Sequence, residues 1–200
     1  MIHFEGRVAD HEIEPLILQR WSPRAFTGEP IPEGELARIF EAARWAPSSY
    51  NSQPWRFLYA RRDTPPWPVF LGLLGSSNQL WAQHAAVLMV AVSKATLRPA
   101  GRDADIPSHT HSFDCGAAWA NLALQATAMG WHAHGMAGFD IPRAAIELNV
   151  PENYRVEAAI AIGRRGDKAA LPEALQAREA PNGREPISSF AFEGGFRKEG

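Results

Sequence analysis

The chain has 200 residues, is 46% hydrophobic, and carries 20 Lys and Arg against 22 Asp and Glu for a formal net charge of −2. A chain of this size and composition fits one domain that buries roughly 70% of its extended surface, and its balanced charge argues against a nucleic-acid binder that works by releasing phosphate counterions. Cys115 stands alone, so an intrachain disulfide is excluded. The charged stretch Met1–Arg7 lacks the apolar core of a signal peptide, and every long apolar run is interrupted by Gln, Asn, Trp or His. A cytoplasmic location with no membrane contact is expected.

Helices alternate with strands along the chain. Leu36, Ile39, Phe40, Ala43 and Ala46 recur at helical spacing between Pro32, which suits a first turn, and Pro47, which stops the element. This predicts a helix over 32–46. Strands are expected at 55–60 and 86–92, with a helical span around 66–83 between them. The segment 94–113, with Pro99, Gly101, Pro107, His109 and His111, reads as an irregular loop, and one so long in a compact domain is functional or disordered. From Asp114 to Met129 the chain is small and apolar almost all round and ends at Gly130, the pattern of a central, fully buried helix. A short strand at 131–134, a helix at 142–148 and a strand at 156–162 complete the order. The tail 181–200 holds Phe190, Phe192 and Phe196, too aromatic for a solvated terminus, and is expected to pack as an arm, with a second subunit as one surface for it.

Two segments carry the chemistry. Ala46-Pro47-Ser48-Ser49-Tyr50-Asn51-Ser52-Gln53-Pro54-Trp55 crowds hydrogen-bonding side chains between two prolines that limit its freedom, which suits a polar ligand or a structural turn network. Upstream, Arg20-Trp21-Ser22-Pro23-Arg24-Ala25-Phe26 places two guanidinium groups four residues apart. On one helical turn they would face a common ligand; otherwise they offset the negative end of a preceding helix. His109-x-His111 and His132-x-His134 match no common zinc spacing, so no metal is expected. No Gly-x-Gly-x-x-Gly follows a strand, so a Rossmann-type dinucleotide site is not expected either. Trp45, Trp67, Trp81 and Trp119 lie on apolar helical faces where core or interface packing is the default, Trp45 and Trp81 being also placed to stack near a ligand.

Together, the Arg-x-Ser-x-Arg-x-Phe and Ala-Pro-Ser-Ser-x-Asn-x-Gln-Pro-Trp segments resemble the paired N-terminal signatures of the FMN-dependent nitroreductase family. The likeness continues through Asp114–Leu122, similar to that family's dimer-forming helix, through Gly135-Met136-Ala137-Gly138-Phe139-Asp140, and through Ile162-Gly163-Arg164-Arg165-Gly166 with Arg184 beyond. It implies an α+β fold with a central, mainly antiparallel sheet flanked by helices, a single FMN-binding domain over 1–200, and an intertwined homodimer. It also implies cofactor contacts from Arg20, Ser22, Arg24, Pro47, Ser48, Ser49, Asn51, Met136, Ala137, Gly138, Gly163, Arg164 and Arg184, the Ser48-Ser49 loop serving the partner's site. Which C-terminal arginine meets the phosphate stays open, and a basic turn at a strand end accounts equally for Arg164. Some members have Glu where this chain has Ala137, leaving a backbone role there. The implied reaction passes hydride from NAD(P)H through the flavin to a small acceptor such as a nitroaromatic or quinone, with no protein nucleophile. His109 and His111 would line the substrate space. Reductive dehalogenation, flavin fragmentation, a non-catalytic flavin carrier and a cofactor-free scaffold are the alternatives.

Overall fold

The computed structural model describes residues 3–196. A small hairpin of β1 (His3–Phe4) and β2 (Arg7–Val8) leads to the short helix α1 (Pro15–Gln19) and then to α2 (Glu33–Arg44). Pro32 precedes the first turn of α2, Glu33 and Glu35 sit at its positive end and Arg44 at its negative end, while Leu36, Ile39 and Ala43 are buried. That arrangement satisfies the helix dipole and the packing face at once.

The central sheet is antiparallel throughout, in the order β3 (Trp55–Arg61), β4 (Val87–Lys94), β8 (Tyr154–Gly163), β7 (His132–Met136). On β4 the residues Val87, Met89 and Ala91 pack into one hydrophobic layer with Leu36 and Ile39 of α2. Leu88, Val90 and Val92 pack into a second with Trp67, Phe70 and Trp81. Period-two alternation with both faces apolar is what a strand covered on both sides requires.

Helices α3 (Trp67–Leu73) and α4 (Ser76–Ala82) replace the single span expected over 66–83. The chain turns extended at Leu74 and Gly75, where Gly75 N–H donates to Gly138 C=O at 2.9 Å. The segment 94–113 is likewise more ordered than expected. Strands β5 (Thr96–Leu97) and β6 (Ile106–Pro107) form a hairpin, closed by Asp105, whose carboxyl is bonded to Lys94, Arg98 and Thr96 and held down at about 2 by Lys94 first and then Arg98. Helix α5 (His111–Ala128) then begins three residues before the expected start.

Ala118, Leu122, Ala123 and Ala126 of α5 are buried, but Phe113 is 80% exposed and Gly116, Ala120 and Ala128 are exposed too. The helix is therefore not buried all round in one chain; it leaves an apolar stripe at i, i+3, i+7 spacing uncovered. After β7, helix α6 (Ile141–Glu147) starts at Asp140, whose carboxylate accepts the Arg143 N–H, and α7 (Glu173–Gln176) follows β8. From Pro181 the arm has one 3₁₀ turn (Ile187–Ser189), with Ile187, Phe190 and Phe196 exposed. The expected arm's last residues, 197–200, lie outside the described residues.

Register fixes the two ends of the sheet. Trp55, Ser93 and Arg155 are aligned at one end; Arg61, Val87, Ile162 and Ala133 at the other. Six residue steps separate them, about 20 Å of strand.

Candidate cofactor site

The segment after α1 is extended, not helical. Its burial alternates: Trp21, Pro23 and Ala25 are buried, while Arg20, Ser22 and Arg24 are only partly covered. Period two, rather than the expected helical turn, therefore puts Arg20, Ser22 and Arg24 on one face, spread over about 13 Å. Phe26 then bridges Arg165, Thr27 N–H donates to Arg164 C=O at 3.0 Å and Gly166 N–H to Ala25 C=O at 2.8 Å, which anchors the segment on the far end of β8.

Ser22, Arg24, His134, Arg178 and Asn182 line a cleft of about 370 Å³. Glu179, 6% exposed, is buried behind Arg24: its Oε1 accepts the N–H groups of Arg24 (2.7 Å) and Ala25 (2.9 Å), and its Oε2 lies 3.8 Å from Arg24 Nη1. His134 Nδ1 is 2.9 Å from Pro23 C=O, an acceptor only, so Nδ1 carries the proton and Nε2 keeps a lone pair. Burial, foremost, lowers the pKa of this ring to about 4, and it stands against Trp81 with centroids 4.6 Å apart.

Arg184 is exposed on the arm, yet near enough to Arg20 that its charge, after burial, depresses the Arg20 pKa. Arg20 and Arg184 therefore add like positive charge to one region of the surface. At the end of β7, Met136 is buried and Ala137 and Gly138 are exposed. Gly138 C=O accepts from both Gly75 N–H and Asn78 Nδ2, which holds the turn, and a Cβ on Gly138 would meet the Asn78 Nδ2 at 2.9 Å and displace that side chain.

The 47–53 loop lies elsewhere, beside the start of β3. Tyr50, Asn51 and Gln53 all have φ in the left-handed region, which residues with a Cβ adopt at a cost. Its hold is local: Gln53 N–H donates to Ser48 Oγ (3.0 Å), and Ser49 N–H donates to the buried Asp114 carboxylate (3.1 Å), which also accepts from Thr110 Oγ1 (3.0 Å). Pro47, Ser48, Ser49 and Asn51 thus sit at the N-terminal end of α5, at the opposite end of the sheet from the anchor of the Arg20–Arg24 face.

The structure does not bring the remaining candidates to the cleft. Arg164 lies over Trp131 (4.3 Å), pairs with Glu29 (3.0 Å) and Glu35 (3.6 Å), and donates to the last carbonyls of the α5 end. Gly163 is where the Phe26 ring passes: a Cβ there would meet its Cδ1 at 2.6 Å. His109 is exposed. His111 is not a loop residue; its Nδ1 is 2.7 Å from the buried Ser93 Oγ, which donates to Glu157 at 2.5 Å, as does Ser112 Oγ at 2.7 Å. Glu157 is the extra residue of a bulge in β8, where Ala91 pairs with Ala158 but Val92 with Val156, and the bulge turns its carboxylate under the first turn of α5. Cys115 is buried, and burial raises its thiol to about 12, leaving it inert. Trp81 is core, whereas Trp45, expected on a packed face, is exposed with its Nε1 on Glu41. Sequence reading missed Glu179, Arg178 and Asn182, which follow no motif, and His134 as a cleft residue. No described helix is long and apolar enough to cross a membrane.

A curated NADH dehydrogenase from Thermus thermophilus is 28% identical over 170 residues, covering 73% of this chain and 83% of its own length. Among solved structures, an oxidoreductase containing FMN superposes with a TM-score of 0.95 at 46% identity and full coverage of both chains. A candidate nitroreductase from Desulfovibrio desulfuricans, in complex with FMN, gives 0.70 at 27% identity over 93% of this chain and all of its own. The sequence profile of the nitroreductase family matches residues 17–65 and 69–164, and with the fold and motif geometry in agreement the chain belongs to the nitroreductase family.

Proposed function

We propose that the protein is an FMN-dependent oxidoreductase that takes hydride from NAD(P)H and passes it to small acceptors such as nitroaromatics or quinones. The observation that carries this reading is the one face shared by Arg20, Ser22 and Arg24. A ligand touching all three is about 13 Å long and anionic at the Arg20–Arg184 end, which fits a flavin mononucleotide lying along the segment. When bound, FMN supplies the centre that accepts and donates hydride. Arg20 and Arg184 hold its phosphate, Ser22 and the His134 Nε2 lone pair meet the ribityl hydroxyls, and Arg24 offers positive charge where negative charge builds up on reduction. Met136 and the exposed Ala137-Gly138 turn line the ring. Cofactor and names among its relatives support the same assignment.

Pro47, Ser48, Ser49 and Asn51 stand at the other end of the sheet, so one chain does not bring both groups to one ligand. In our reading a second copy supplies this loop, the bare stripe on α5 and the apolar arm forming the contact between copies. NAD(P)H and acceptor take turns in the same space. Of the two histidines, His109 is free to face the acceptor, because the His111 ring is spent on Ser93. The test is a spectral titration of the purified protein with NADH and NADPH. A yellow protein that bleaches and recovers with nitroaromatic or quinone is expected; yellow without bleaching would make it a carrier, and a colourless protein that rejects added FMN a scaffold.

A further inference from the structure

Arg7 belongs to the N-terminal hairpin, outside the residues matched to the family, yet it is among the few buried charged residues, at 7% exposure. Its guanidinium donates to three main-chain carbonyls from two distant segments: Leu18 and Arg20 at the end of α1, both at 2.8 Å from Nη1, and Asn182 on the arm, 2.8 Å from Nε. These are the segments that carry Arg20 and Arg184. No carboxylate pairs with Arg7 among the described residues at ion-pair distance, and Glu5, nearest in sequence, is bonded to Arg165 at 2.6 Å. Burying a guanidinium against carbonyl dipoles alone leaves its positive charge largely uncancelled.

We propose that Arg7 is a positioning residue for the phosphate end of the cofactor site: it fixes the separation of Arg20 and Arg184 by tying their backbones together and adds a third positive charge behind them. The inference rests on the FMN reading above. Arg7 meets no ligand itself; it acts through the two segments it joins. The charge argument agrees with the state of the group, whose pKa is lowered by burial first, then by Arg184 and Arg20, against a smaller opposite pull from Glu5. A spacing that brings three like charges together is unfavourable until a dianion occupies it, so loss of Arg7 falls on phosphate recognition and spares the rest of the site.

The experiment compares FMN with riboflavin, which lacks only the phosphate. Dissociation constants of both are measured by fluorescence quenching on the full-length, cofactor-stripped protein, with Arg7→Met and Arg7→Lys beside the wild type. FMN affinity is expected to fall roughly ten- to a hundredfold in Arg7→Met and several-fold in Arg7→Lys, which keeps a charge but not the fork that spans both segments, while riboflavin affinity stays within about threefold. Equal losses for both flavins would make Arg7 a general scaffold residue, and unchanged FMN affinity in Arg7→Lys would remove its positioning role; either overturns the proposal. If Arg7→Met fails to fold, Arg7→Lys decides. A wild type that does not prefer FMN to riboflavin is read before any substitution and takes down the phosphate-site reading itself.

Discussion

Arg20, Ser22 and Arg24 face the same way because every second residue of an extended segment does, and because Trp21, Pro23 and Ala25 between them are drawn into the core. Among the described residues the Arg20 guanidinium makes one hydrogen bond, 3.4 Å to Ser22 Oγ, which leaves most of its donors to a ligand. Arg20→Ala should weaken FMN binding by about 1.5–3 kcal/mol, or ten- to a hundredfold, seen by fluorescence quenching at fixed salt; wild-type affinity would reduce Arg20 to an end-of-helix charge. The half-buried histidines His132 and His134 set a pH limit. Burial lowers both His132 and His134 from the ordinary 6.5 to about 4. Between those values the unfolded chain binds protons that the folded chain does not, so their contribution is complete above pH 6.5 and is lost as the pH falls toward about 4. Urea unfolding of the wild type and of a His132→Gln, His134→Gln variant checks this: the variant's stability should fall less between pH 7 and pH 5, and parallel losses would refute it.

At the scale of elements, the start of α5 serves two tasks. Asp114 holds the strained 47–53 loop through Ser49, while His111 and Ser112 close over the bulged Glu157 and the fully buried Ser93. The two histidines before and within that first turn should therefore separate experimentally. His111→Ala removes one of two bonds of the buried Ser93 hydroxyl, which keeps its bond to Glu157, and should cost about 0.5–1.5 kcal/mol of stability, read by urea unfolding. His109→Ala should leave stability and flavin reduction by NAD(P)H near normal in single-turnover measurements, yet change the ratio of kcat/KM for nitro and quinone acceptors. Should His109→Ala leave that ratio unmoved, the acceptor-facing role assigned to it fails.

For the whole molecule, three features point to one assembly. The α5 stripe around Phe113, Gly116 and Ala120 is bare, the arm exposes Ile187 and Phe190, and the two groups of cofactor-binding candidates lie at opposite ends of the sheet. Exposed apolar surface of this extent is what an interface between copies covers. Sedimentation at micromolar concentration should give a dimer, and Phe113→Glu should shift it to monomer and release FMN together. A monomer that still retains FMN would contradict the assembly and return the whole site to one chain.

The sequence by itself determined the family, the helix over α2 and the four strands of the central sheet, because these depend on neighbours in the chain: apolar spacing, prolines at helix limits, and two dense local motifs. It also named Arg20, Ser22 and Arg24 as a set, though for a helical reason that the extended segment replaces. Tertiary structure alone decided which charges meet. Arg164 is withdrawn to Glu29, Glu35 and Trp131, His111 is withdrawn to Ser93, and Arg7 and Glu179, which stand in no motif, are buried against segments up to 175 residues away. A charge's partners are set by distance in space, and nothing in the local pattern of a chain records which remote carbonyl or guanidinium will lie within 3 Å of it.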